Sequence, residues 1–143
     1  MDLSNMEVSI TDNQKTSLKK KIEIFYHDTK HCRGTSECPV KNILAPSVDK
    51  WSLFCLYNLA YNEVLRFNQI QKFTPGISSR MLSVTLKKLE KAHLINRKVY
   101  AAVPPKVEYR LTDFGYQLSS KLIELNQWIF EISESMKPKN KKA

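Results

Sequence analysis

Nucleophilic, redox or soft-metal chemistry in this 143-residue chain would have to come from three cysteines and three histidines. His27, His31, Cys32 and Cys38 fall within one short stretch, and four such groups can hold zinc. Their spacing matches no strong zinc pattern, so no metal is expected there. Cys55 stands inside an apolar run and reads as a small core side chain. No nucleophile, base and orienter occur together as a motif, and His93 reads as a helix cap rather than a base. The glycines are Gly34, Gly76 and Gly115, too few and too scattered for a phosphate loop or a dinucleotide-binding turn. The expectation is a protein that is not an enzyme, with no catalytic residues and no cofactor.

The other chemistry is cationic. The 23 basic and 14 acidic side chains leave a net charge of +9. Residues 1–49 are balanced, as are residues 50–63. Residues 64–112 carry ten cations (Arg66, Lys72, Arg80, Lys87, Lys88, Lys91, Arg97, Lys98, Lys106, Arg110) against Glu90 and Glu108. A general preference for lysine would raise the charge everywhere, yet the excess falls in one third of the chain. Such a block suits a polyanion, because Lys and Arg release the counterions condensed on phosphates.

The chain that must position these groups is 42% hydrophobic and 26% charged, the balance of one globular domain. No apolar run reaches the ~18 residues of a membrane span, and the N-terminus lacks a signal-peptide core. An odd cysteine count in such a chain points to a reducing cytoplasm and no membrane partner.

Residues 1–13 are polar and aperiodic, as in a mobile terminus. Leu18, Ile22 and Phe25 mark one stripe of a short helix over 14–26, and residues 27–39 read as a loop. Residues 48–61 are apolar almost all round, which predicts a central, buried helix. A second helix is predicted over 65–73, with Phe67 and Ile70 inward, before the turn Thr74-Pro75-Gly76. Ser78 can cap the next helix, about 79–92. In that helix Leu82, Leu86 and Leu89 share one side, while Arg80, Ser83, Val84, Lys87 and Lys91 share another. Residues 94–100 have strand character, and 107–111 alternate, with Val107, Tyr109 and Leu111 on one face. Ala101–Lys106 between them is a proline-stiffened hairpin tip. A helix, a turn, a basic amphipathic helix and a basic hairpin make a helix-turn-helix with a wing. Thr112 can cap the last helix, in which Phe114, Leu118, Leu122, Leu125, Ile129, Ile132 and Met136 alternate by threes and fours. That seam is too long for one small domain to cover, so part of it is expected to pair with a second copy. The lysine-rich tail over 137–143 is expected to be disordered.

These residues resemble the HxlR family of winged helix-turn-helix transcriptional regulators, relatives of the MarR group. The likeness is carried by Cys38-Pro39-Val40, Asp49-Lys50-Trp51, Leu65-Arg66-Phe67-Asn68, and the run from Pro75 to Leu82. It continues through Leu86-Lys87-Lys88-Leu89-Glu90, Leu94-Ile95-Asn96-Arg97, the run from Pro104 to Thr112, and Gly115. It covers about 38–136, with residues 1–37 as an N-terminal extension. Asp49 and His93 depart from the resemblance, since the family usually carries glycine at both positions.

The resemblance implies an α+β, mainly α fold in which N- and C-terminal helices form a dimer interface. In that fold Ser78, Ser79, Arg80, Ser83, Val84, Lys87, Lys88 and Lys91 belong to a DNA recognition helix. Ser79, Arg80, Ser83 and Val84 would face base edges, and Lys87, Lys88 and Lys91 phosphates. Lys98, Lys106 and Arg110 lie on the wing. Leu118, Leu122, Leu125, Ile129 and Ile132 are the expected dimer contacts. Partners would be double-stranded DNA bearing an inverted repeat, a second copy, and an oxidant, electrophile or small-molecule effector. Some relatives sense oxidants or electrophiles at the cysteine corresponding to Cys38. Here Lys41 lies one turn beyond it, and Cys32 is a candidate resolving partner. A repressor is the expected sign. Two alternatives stand: a non-specific nucleic-acid binder, and a regulator answering a small apolar ligand lined by Trp51, Tyr57 and Trp128.

Overall fold

A computed structural model describes residues 9–32 and 34–136. The chain divides into two compact units. One is Pro39–Leu125; the other comprises the described residues up to Cys38 and from Asn126 onward.

In the second unit, α1 (Asp12–Thr29) starts at Thr11, whose hydroxyl accepts from the Gln14 N–H while the Gln14 side chain accepts from the Thr11 N–H. This reciprocal cap starts the helix two residues before position 14 and so lengthens the expected 14–26 segment. No residue of α1 is buried; Leu18, Ile22 and Phe25 are all exposed. Most of the expected mobile terminus, residues 1–8, and the whole basic tail, 137–143, lie outside the described residues.

The larger unit begins with a π-helical turn, Val40–Leu44, that runs directly into α2 (Ala45–Ser47). Next come α3 (Lys50–Asn62), α4 (Phe67–Phe73) and α5 (Ser79–Lys91), then the antiparallel pair β1 (Ile95–Tyr100) and β2 (Lys106–Leu111), and finally α6 (Asp113–Ser135), whose residues from Asn126 onward fall in the other unit. The core gathers Cys55, Leu56 and Leu59 of α3, Ile70 of α4, Leu82, Leu86 and Leu89 of α5, and Leu94, Ile95, Tyr109 and Leu111 around the sheet.

Two sequence expectations need correction. Helix α3 is not buried all round: Ser52, Cys55, Leu56 and Leu59 face the core, while Phe54 is exposed and Tyr61 is 89% exposed. A small unit has one core, and it lies on one side of this helix. Helix α4 begins at Phe67 rather than Leu65, because Leu65 pairs with Tyr109 through reciprocal backbone bonds of 3.2 and 2.8 Å. This bridge adds a third short edge to the hairpin.

Helix α6 is fixed to the unit by Gly115. A Cβ there would stand 2.1 Å from the Leu94 carbonyl oxygen and 3.3 Å from Leu111 Cδ2. Thr112 Oγ1 accepts from the Gly115 N–H and donates to the His93 carbonyl at 2.7 Å, tying the helix start to the end of α5. The seam of α6 therefore splits. Leu122 is only 5% exposed and so is taken up by the chain's own core, against which Leu118 is half-buried. Leu125 and Ile129 stay exposed, and Ile132 is half-buried.

Gly115→Ala should destabilise the protein by about 1–3 kcal/mol or more, because backbone rather than a flexible side chain must give way; urea denaturation measures it. Burial pushes the Cys55 thiol up to about 12, with the Asp49 charge adding to the effect. Cys55 should resist alkylation at neutral pH in the folded protein and react only on unfolding, as peptide mass mapping would report.

Candidate nucleic-acid interface

The candidate surface is built on α5. Ser78 Oγ accepts from the Met81 N–H at 3.0 Å and caps the helix start. The other end closes as a Schellman motif: His93 N–H bonds the Glu90 carbonyl, and Leu94 N–H bonds the Leu89 carbonyl, each at 3.0 Å. His93 takes the left-handed conformation, φ 59°, that this motif usually gives to glycine. Between the caps, Leu82, Thr85, Leu86 and Leu89 are buried. Burial of that stripe turns Arg80, Val84, Lys87 and Lys91 outward on the opposite side, all exposed. Val84 is 54% exposed, available for apolar contact at the surface. Ser83 is half-buried beside this row.

Two residues sit differently from expectation. Ser79 Oγ is engaged with the Gln71 side chain, accepting from Nε2 at 3.1 Å. It fastens α4 to α5, while Asn58 of α3 ties that helix to the end of α4 by donating to the Phe73 carbonyl and to Thr74 Oγ1. Lys88 leaves the cationic row: its Nζ lies 2.6 Å from Asp49 Oδ2, at the N-cap of α3. Burial pushes the Asp49 carboxyl up, but hydrogen bonds from Lys88 and Ser52 outweigh that and hold it below its ordinary value. Sequence spacing carries no signal for a pair so far apart along the chain.

The wing brings its cations together. In the β1–β2 register Lys98 stands opposite Glu108 and Tyr100 opposite Lys106. Lys106 Nζ donates to Glu108 at 3.0 Å, and Arg110 lies 3.9 Å from the same carboxylate. The Lys98 and Lys106 ammonium groups lie 4.9 and 5.2 Å from the Tyr100 ring centroid. The hydrogen bond from Lys106 is the chief cause holding the Glu108 carboxyl below its usual range. Glu108 thus offsets part of the wing's charge. Arg97 and Met81 are additions that sequence reasoning missed. Met81 is exposed beside the cationic row. Arg97 shares a cleft of about 280 Å³ with Lys87, Ser83 and Tyr109, where α5 faces the hairpin. Arg97 pairs with Tyr109 across the hairpin, on the α5 side of the sheet, and the signal for it in sequence was its two-residue spacing from the apolar Ile95.

Cys38 is half-buried and directly precedes Pro39, the N-cap of the π-helical turn. Cys32 is buried, its Sγ 3.5 Å from the Thr29 carbonyl, and both are free thiols. Among the described residues no three His, Cys, Asp or Glu side chains gather as a metal site. No described helix is long and apolar enough to cross a membrane. An apolar groove of about 360 Å³ lies between α3 and α6, lined by Tyr57, Ala60, Tyr61, Tyr116, Ser119, Ser120 and Ile123. Of the aromatics expected to line a ligand site, Tyr57 lines this groove. Trp51 instead packs on the core, close to Gly76, and Trp128 belongs to the other compact unit.

Comparison with known proteins agrees with this geometry. The family described as HxlR-like helix-turn-helix matches residues 48–137. The HTH-type transcriptional regulator YdeP of Bacillus subtilis is 42% identical over 91 residues, 64% of this chain and 70% of YdeP. The transcriptional regulator YtfH from Salmonella typhimurium superposes with a TM-score of 0.62 at 33% identity, covering 71% of this chain and 89% of that one. The redox regulator HypR, in its oxidized form, gives 0.58 at 36% identity, covering 71% and 99%. A winged helix-turn-helix that agrees with these relatives over most of the domain leaves one assignment: the chain belongs to the HxlR-like helix-turn-helix family of transcriptional regulators.

Proposed function

We propose that the protein is a cytoplasmic, homodimeric repressor that binds double-stranded DNA at an inverted repeat. The observation that carries this reading is the outward row Arg80, Val84, Lys87 and Lys91, presented by a helix whose opposite face is buried. A helix of this width enters the major groove, where Arg80 can give two donors to a guanine and Val84 can meet a thymine methyl. Lys87 and Lys91 then reach phosphates, with Lys98, Lys106 and Arg110 of the wing on the adjoining backbone. The exposed Leu125, Trp128, Ile129 and Phe130 of α6 support pairing with a second copy, and α1 in the N-terminal extension offers further apolar surface. Twofold symmetry would set the two recognition helices one helical turn apart, roughly 34–36 Å. A dimer seated near a promoter blocks polymerase without an activating surface.

The input is proposed to be oxidative or electrophilic, acting at Cys38. Its partial exposure at the start of a helical turn and the likeness to the redox regulator HypR support this. Cys32 is a candidate partner. A second reading, a small apolar effector in the α3–α6 groove, is favoured by that groove's tyrosine lining. Thermal shift with aromatic ligands would separate the two inputs.

Selection of duplex from a random pool, followed by mobility shifts, should return an inverted repeat. Equal affinity for all sequences would favour a non-specific binder instead. Arg80→Ala should cut discrimination between the selected and random duplex by about 1–3 kcal/mol with the fold intact, read from paired binding isotherms. Diamide should release the protein from its selected duplex, and Cys38→Ser should abolish that release. Unchanged release from Cys38→Ser would remove the sensor role.

A further inference from the structure

Helix α5 does not present all its cations alike. Arg80, Lys87 and Lys91 are exposed on the outer row, whereas Lys88 is turned toward α3. Its partner is held in advance. Asp49 Oδ1 accepts from the Ser52 N–H at 3.1 Å, and Oδ2 accepts from Ser52 Oγ at 2.7 Å as well as from Lys88 at 2.6 Å. Both carboxylate oxygens are therefore engaged, and the carboxylate is oriented by the helix it caps before Lys88 reaches it. The contact joins residues 39 apart in sequence, from the N-terminus of α3 to the third turn of α5.

The leucine stripe sets which side of α5 faces the core, but apolar contacts are weakly directional and define the finer rotation of the helix about its own axis less sharply. Rotation would move every outward side chain relative to a groove. A directional, charge-assisted bond on the flank opposes it. We propose that Asp49 acts through Lys88 as a positioning residue that fixes the rotation of α5, and that Lys88 is not a phosphate contact. The proposal rests on α5 being the DNA-reading helix and changes the role expected for Lys88 within it.

The test uses the full chain with Lys87→Gln, Lys88→Gln and Lys88→Arg. Each is titrated with a random-sequence duplex over a salt series and with the duplex that the wild type selects. Lys87→Gln should reduce the salt slope by about 0.9 for each phosphate that is no longer neutralised. Lys88→Gln should leave that slope unchanged but lower the preference for the selected duplex about threefold. Lys88→Arg, which keeps a long, charged donor for Asp49 where glutamine offers only a shorter neutral amide, should restore the preference. In a cycle with Asp49→Asn, the double variant should lose no more preference than Lys88→Gln alone. A slope that falls in Lys88→Gln as it does in Lys87→Gln overturns the proposal, as does an intact preference. A Lys87→Gln slope equal to wild type overturns the DNA-reading assignment of α5 itself, a separate pattern.

Discussion

Burial of Leu82, Leu86 and Leu89 against the α3 and sheet core decides which side of α5 meets the outside. Each such leucine contributes roughly 1.5–3 kcal/mol on leaving water, far more than any single exposed lysine could gain or lose at the surface. The cationic row is thus set by the apolar one. Arg80, Lys87 and Lys91 face outward because the opposite stripe cannot. The Ser78 cap and the left-handed His93 bound the helix, so that its length and the departure of β1 are fixed at both ends.

The wing depends on the same core from the other side. Tyr109 and Leu111 are buried beneath the hairpin, and the backbone pairing of Leu65 with Tyr109 joins the hairpin to the start of α4. The cations on the outer strand face are moderated rather than free. Glu108 and the Tyr100 ring hold Lys106 near the sheet, giving a compact positive ridge in place of loose side chains. Helix α6 enters against Leu94 only because residue 115 has no Cβ. That close approach commits the first turns of a long apolar seam to the chain's own core. Beyond them, Leu125, Trp128, Ile129 and Phe130 remain apolar and exposed.

Much of this was legible in the residues. The three-and-four spacing of α5, the caps at Ser78 and Thr112, and the alternation of Val107, Tyr109 and Leu111 are local signals with a direct geometric meaning. Local signals fail where partners come from afar. The run over residues 48–61 looks buried on every side, yet its surroundings cover one face. Leu65 reads as the start of a helix, yet a strand claims it. Lys88 looks like its neighbour Lys87, yet a carboxylate on another helix holds it.

The sequence by itself determined the order of the elements, the composition of the α5 and wing surfaces, and the family, because periodicity, capping and charge are properties of neighbouring residues. The tertiary structure alone decided which cations remain available, which part of the α6 seam is covered internally, and where apolar surface is left open. Those outcomes turn on distances between residues remote in the chain, such as Asp49 to Lys88 and Gly115 to Leu94, and no one-dimensional pattern encodes a distance that arises only once the core has closed.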